Sequence, residues 1–385
     1  MLDHLTAYFT DHGLPVEDFS LRLHAPGRIN LIGEHLDYNG GLVMPASIDK
    51  GLQFFARQLD APQLRLHAVD LNETHTLELP QLEKTGITWV DYLVGIARKF
   101  QQLGKTIPGL EIVFGGNLPA GAGMSSSAAL EGGMAFLLNE LTQSGLSRPA
   151  LAQLCQRSSN NFMGIPSGIM DQFASLNGTA DGPMLLDCDR LEFRPIVNRI
   201  KGYSFMLVNS MVSHSLASGE YHVRVRECAA ALAAIQTRFP SVANLSTATR
   251  EQLDSVAEKL DEKPLLRARY VIAENARVQA ALRALEAGDG PEFGRLLNST
   301  HAGLRDEYEV SCPEVDFLQE RAVASGLVAG ARIMGGGFGG CTINLVRAGR
   351  EAKLGELLTA AYREAYQLTP ECYRANIGSG TYLMS

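Results

Sequence analysis

Apolar and polar positions alternate through much of residues 21–80. The segments LRLHAP, LQFFARQ, LRLHAVD and HTLELP predict short strands joined by turns. Residues 90–103 have the spacing of a helix. GLEIVFGGNLP then alternates Leu110, Ile112 and Phe114 and breaks at glycines, as a strand running into a loop does. Leu130, Met134, Leu137, Leu138 and Leu141 recur at helical spacing behind Ser125, Ser126 and Ser127, which are suited to cap that helix. A helix over about 148–163 ends at GIPSG, and IMDQFASLNG starts another. GPMLLDCD and YSFMLVNS read as strands. The second half predicts helices over about 216–238, 249–260, 264–287, 290–300 and 314–325. The strands ARIM and CTINLV follow around a glycine loop, then a helix over 350–366 and a strand over 372–378.

Interleaved strands and helices place the chain in the α/β or α+β class. Its 385 residues exceed one ordinary core, so two domains are expected. The turn chemistry of DGPMLLDCDRLEFRP puts their boundary within 180–205, dividing 1–190 from 191–385. Net charge is −8, and no basic face is implied, which excludes general nucleic-acid binding. The first residues lack the apolar centre of a signal peptide, and no apolar run is long enough to span a bilayer. Cysteines 155, 188, 228, 312, 341 and 372 are scattered without a CxxC pair, and the nine histidines do not stand near them at ligand spacing. The expectation is a cytoplasmic protein with buried thiols and no zinc site.

Four stretches carry candidate chemistry. APGRINLIGEHLDYNGG (25–41) mixes Arg28, Glu34, His35 and Asp37 with Ile29, Leu31, Ile32 and Leu36, a combination that suggests a polar pocket built into a core element. NLPAGAGMSSSAAL (117–130) places glycines before a helix start, where free amides and the helix dipole form an anion site; it has no Walker lysine and no Rossmann spacing. The alternative is a flexible loop before a capped helix. MGGGFGGC (334–341) serves either close packing against a ligand phosphate or backbone, or a tight β-connection. In GIPSGIMDQF, Asp171 suits a helix N-terminus and also the work of a base on a hydroxyl. On the helix of LASGEYHVRVREC, Tyr221 is either half-buried or a ligand for a polar group, while Arg224 and Arg226 read as solvated or salt-bridged.

Together these stretches resemble the galactokinases. GRINLIGEHLDYNGG looks like their signature, LPAGAGMSSSAA resembles the phosphate loop of the wider GHMP kinase superfamily, and MGGGFGG its third motif. SGIMDQ, SGEYHVRVREC, IAENARV and THAGLRDEYEVSCPEVD extend the likeness from about residue 22 to the last strand. The resemblance implies an α+β, two-lobed GHMP kinase fold. Its N-terminal lobe would be like the second domain of ribosomal protein S5, its C-terminal lobe ferredoxin-like, and the active site would lie between them. It further implies that ATP lies over Gly121, Ala122, Gly123, Met124, Ser125, Ser126 and Ser127, with Ser127 a ligand of Mg2+. Galactose would be held by Glu34, His35, Asp37, Gly168 and Tyr221. Asp171 would orient or deprotonate the sugar 1-hydroxyl, and Arg28 would stabilise charge on Asp171 or on the moving phosphoryl group.

One position departs from that pattern. Galactokinases carry a metal-binding glutamate twelve residues ahead of the aspartate, where this chain has Ser159, flanked by Asn160 and Asn161. A neutral hydroxyl is a weaker ligand for a hard divalent cation than a carboxylate. The metal would then rest on Ser127, the ATP phosphates and water, or on another acid reaching in. The reading is galactose 1-phosphorylation by ATP. The alternatives are a GHMP kinase for another pyranose, or a catalytically weak galactose/ATP sensor.

Overall fold

The computed structural model describes residues 1–119, 122–213 and 217–385. The chain begins with α1 (Asp3–Asp11) and β1 (Leu21–Asn30), then β2 (Leu42–Val43), β3 (Pro45–Leu59), β4 (Gln63–Ala68) and β5 (Glu73–Glu78). Next come α2 (Thr88–Gln102), β6 (Gly109–Gly116), α3 (Ser126–Leu141), α4 (Arg148–Ser158) and α5 (Met170–Asn177), with a π-helical turn over Ser159–Met163 extending α4. After β7 (Met184–Asp187), β8 (Glu192–Pro195) and β9 (Tyr203–Ser213) come α6 (Ala217–Gln236), α7 (Arg250–Asp254), α8 (Glu262–Ala287), α9 (Gly290–Asp306) and α10 (Pro313–Ala324). The chain ends with β10 (Val328–Ile333), β11 (Gly339–Arg347), α11 (Glu351–Tyr366), β12 (Glu371–Arg374) and β13 (Tyr382–Leu383).

Among the described residues, one sheet runs β13-β1-β3-β6-β4-β5. Its pairs are antiparallel except β4 with β6. Alternation along β3 sorts its side chains between two layers. Phe54 joins the main core with α2 and α3, whereas Phe55 packs under Leu5, Phe9 and Phe19 around α1. A second sheet runs β10-β11-β9-β12, antiparallel throughout. Its strand and helix sequence, with β11 inserted between β9 and β10, is the split β-α-β pattern of a ferredoxin-like lobe. Strands β2, β7 and β8 form a small third sheet.

Three expectations are corrected. Helix α3 is buried almost all round rather than on one face. It packs between β1 and β3 on one side and α2, α4 and α5 on the others. Gly133 permits this, since a Cβ there would meet the Phe54 ring at 2.4 Å. The helix expected over 249–260 is only α7 followed by a 3-10 turn at Ala257–Lys259. The last strand stops at Arg374, and the chain crosses to the first sheet. There Gly380 N–H donates to the Gly178 carbonyl, and β13 pairs with β1.

Candidate active site

The stretch 25–41 combines charge with burial because it is the end of a central strand. Strand β1 shifts register between Pro26 and Arg28, which turns Arg28 toward α5. Arg28 then grips Asp171 with a bidentate fork, Nε to Oδ1 at 2.7 Å and Nη2 to Oδ2 at 2.8 Å. Its Nη1 donates to the Gly123 carbonyl and its backbone N–H to the Met124 carbonyl. One buried arginine thus fixes the candidate base and the candidate phosphate loop together. The Arg28 side chain is 5% exposed and that of Asp171 30%, so the carboxylate is the member that faces the cleft.

Ser125 departs from its expected role. It adopts a left-handed backbone (φ +58°) and makes no side-chain cap to α3. Its hydroxyl donates instead to Asp171 Oδ2 at 2.6 Å. Ser126 begins α3 and Ser127 lines the cavity, while Ala122 and Met124 are buried. Gly121 lies outside the described residues.

A cavity of about 410 Å³ joins these groups to the sugar candidates. Glu34, His35, Asp37, Gly168 and Tyr221 all line it, as do Gly335, Gly336 and Gly337 of the second glycine loop. The two glycine loops face each other, and a Cβ on Gly123 would meet the Met334 carbonyl at 3.5 Å. Gly168 has no room for a side chain, because its Cβ would fall 1.7 Å from Asp37 Oδ2.

The buried ring of His35 accepts or donates at Nδ1 with the Tyr38 hydroxyl at 2.8 Å, and Nε2 has no hydrogen-bond partner among the described residues. Burial, aided by the charge of Arg224, lowers its pKa to about 3, so it is neutral. Burial, and then the Asp171 charge, raises Asp37 to about 7. Burial also pushes Glu34 up, against the pull of Arg332. A neutral imidazole offers one donor and one acceptor, and a carboxyl accepts when ionised and can also donate when protonated, which suits vicinal hydroxyls that do both.

This geometry has close relatives. Residues 17–58 match the family described as the galactokinase galactose-binding signature. Residues 91–179 and 281–371 match the GHMP kinases N terminal domain and the GHMP kinases C terminal. The galactokinase of Roseiflexus sp. is 38% identical over 360 residues, covering 93% of this chain and 92% of its own. That of Thermotoga neapolitana is 38% identical over 348 residues, covering 90% and 95%. The chain belongs to the galactokinase family. The crystal structure of Lactococcus lactis galactokinase complexed with galactose matches it with a TM-score of 0.93 at 34% identity, over 99% of both chains. A mevalonate kinase at 18% identity and a TM-score of 0.65 shares the fold alone, over 93% of this chain and 99% of its own. The fold is that of the GHMP kinases.

Sequence reasoning missed part of this galactokinase-family site. Arg332, fully buried in β10, donates to the carbonyls of Leu31 and Ile333 at 3.0 and 2.6 Å and to that of Asn30, and lies 3.0 Å from Glu34 Oε1. The Gly335 N–H donates to the same Glu34 oxygen at 2.8 Å. Glu34 therefore links the 25–41 stretch to the second glycine loop as well as lining the cavity. A lone charge between apolar neighbours in ARIM was the available signal. Arg224 is structural: it donates to the Tyr308 and Glu309 carbonyls, both at 2.8 Å, and pairs with Glu220. Glu131, Ser159 and Gln172 form a further buried group beside Ser127. The Ser159 hydroxyl donates to Glu131 Oε1 at 2.7 Å, and Gln172 Nε2 donates to Oε2 at 3.1 Å. Burial raises Glu131 to about 7. No helix among the described residues is long and apolar enough to cross a membrane.

Proposed function

We propose that the chain transfers the γ-phosphoryl group of ATP to the 1-hydroxyl of D-galactose, giving galactose 1-phosphate and ADP. The observation that carries this reading is Asp171, clamped by Arg28 and Ser125 at the point where the phosphate loop meets the sugar-side residues. A binding protein has no need of a carboxylate fixed in that way between two ligands, which favours catalysis over a sensor role.

ATP phosphates would lie over Gly121–Ser127, against the first amides of α3, which have no intrahelical carbonyl to bond. Galactose would be held by Glu34, His35, Asp37, Gly168 and Tyr221. Its 1-hydroxyl oxygen attacks the γ-phosphorus, the bond to the ADP oxygen breaks, and the hydroxyl proton passes to Asp171. Arg28 balances the charge on Asp171 and, through Gly123, holds the loop. Positioning and electrostatics supply most of the acceleration in such transfers. Magnesium carried with ATP would neutralise charge on the β- and γ-phosphates. Among the described residues no group of three or more His, Cys, Asp or Glu could hold a metal ion by itself. The cavity wall fits a hard cation that keeps its phosphate ligands: Ser127, Ser159 and Gln172, each carrying an oxygen, all line it, and Gln172 Oε1 is buried without a hydrogen-bond partner among the described residues. Ser127 would hold that ion from the protein side.

The two lobes meeting at this cavity would correspond to residues 1–190 and 191–385. The six free cysteines, four of them buried, suit a reducing compartment, and we place the reaction in the cytoplasm. The reading is tested by phosphorus NMR of the product. Coupling of the new phosphate to the anomeric proton of galactose is expected; a phosphate on another carbon, or on a different pyranose preferred to galactose, would contradict it.

A further inference from the structure

Ser159 occupies the position where the resemblance calls for a metal-binding glutamate. The carboxylate is missing from the cavity wall but not from the neighbourhood. Glu131 lies one turn beyond Ser127 on α3, at the i+4 position of the same helical face, and is fully buried. It does not reach the cavity itself. Ser159 and Gln172 stand between it and the cleft, and both line the cleft beside Ser127.

The hydrogen-bond arithmetic gives this layer a direction. An ionised carboxylate only accepts. Glu131 takes the single hydroxyl hydrogen of Ser159 at Oε1 and the amide of Gln172 at Oε2. The Gln172 amide also reaches the Ser159 hydroxyl oxygen at 3.5 Å. With those donors committed inward, the groups left are acceptors: the remaining lone pair of the Ser159 hydroxyl and Gln172 Oε1. The latter is buried and has no hydrogen-bond partner. Gln172 is only 4% exposed, so bulk water does not satisfy it. Oxygens held in place by an accepting carboxyl suit a cation better than an anion, a cation nearby favours the ionised form of that carboxyl, and Ser127 lines the same cavity.

We propose that Glu131 is a positioning residue for the magnesium of the ATP complex, turning the oxygens of Ser159 and Gln172 toward the ion and supplying from behind them the charge that position 159 lacks. This rests on the phosphotransferase reading. Groups that orient metal ligands from a second layer commonly change metal affinity 10- to 100-fold when replaced.

The test is a titration of Mn2+, followed by the paramagnetic resonance of the free ion, into the protein with a non-hydrolysable ATP analogue and galactose. Glu131→Gln is expected to weaken Mn2+ binding roughly tenfold or more, with galactose affinity by calorimetry changed less than about twofold. Adding Ser159→Glu to Glu131→Gln restores a carboxylate at the cleft and is expected to recover Mn2+ affinity. Ser159→Ala, which removes the oxygen and the contact, is expected to weaken Mn2+ as well and decides the matter if Glu131→Gln is not obtained folded. Unchanged Mn2+ affinity in these variants would overturn the proposal. So would an equal loss of Mn2+ and galactose binding, which is the mark of a merely structural role. A wild-type protein that binds Mn2+ with the nucleotide analogue but ignores galactose would instead contradict the galactose reading and leave the metal comparison intact.

Discussion

At the residue scale, the account depends on Asp171 and Asp37, two carboxylates with different duties. Asp171 is pinned by Arg28 and Ser125 and faces the cleft. Asp171→Asn keeps the shape and removes the base; kcat is expected to fall by about 100-fold or more, with galactose and ATP affinity largely retained. A variant with near-normal kcat would remove Asp171 from proton transfer. Asp37 is raised to about 7 by burial and by the charge of Asp171. Its folded pKa lies above the unfolded value of about 3.9. The folded protein therefore holds a proton between those values that the unfolded chain releases. Stability linked to this site is present at the acid end and lost as pH rises through about 7. Asp37→Asn escapes that loss, so it is expected to melt higher than wild type at pH 8 and to lose the advantage toward pH 4. Galactose affinity has the opposite slope. An anionic Asp37 accepts sugar hydroxyls better, so binding should weaken as pH falls below about 7 in wild type but not in Asp37→Asn. A flat pH profile of wild-type affinity by calorimetry would count against the role of Asp37.

At the scale of elements, the glycine loops and the strand ends are what bring the site together. Gly168→Ala is expected to push the Asp37 carboxylate out of place, since the new carbon would overlap it. The measurable result is a raised galactose KM with little change in melting temperature; an unchanged KM would mean Asp37 is dispensable. Arg332→Met leaves Glu34 without its buried cation and unties β10 from the turn after β1. Breaking such a pair costs about 3–5 kcal/mol, so a large drop in thermal midpoint is expected together with a raised galactose KM. Most of these elements were legible in the sequence. Strand alternation located β1, β3 and β6, and serines after glycines located the start of α3. The failures have physical causes. Ser125 was read as a cap because serines favour that position, but Asp171, 46 residues away, offers its hydroxyl a charged acceptor. The full burial of α3 was hidden because it depends on Gly133, whose missing side chain lets Phe54 of β3 pack so closely, while Gly132 faces Leu176 and Ser175 of α5. Arg332 and Glu131 were passed over because a charge inside an apolar strand or helix reveals its partner only after the chain is folded.

At the scale of the whole molecule, the galactokinase-family likeness runs across nearly the entire chain, and the site draws on both halves of it. Glu34 comes from the first half, while Arg332 and Gly335, which hold it, come from the second. The overall fold was foreseeable, and so was the gathering of Glu34, His35, Asp37, Gly168 and Tyr221 at one cavity, because their motifs are local runs of sequence. The tie between the halves was not, since its partners lie about 300 residues apart. On the proposed metal side the partners are nearer in sequence: Glu131 on α3 accepts from Ser159 and Gln172, 28 and 41 residues away. The most direct measurement is ADP release by the purified protein with ATP and galactose, with glucose as control, over a wide range of magnesium concentration. The account predicts turnover that requires galactose, is negligible with glucose, and rises with magnesium to a plateau. ADP release that is indifferent to galactose, or no turnover at any magnesium concentration while galactose still binds, would contradict it.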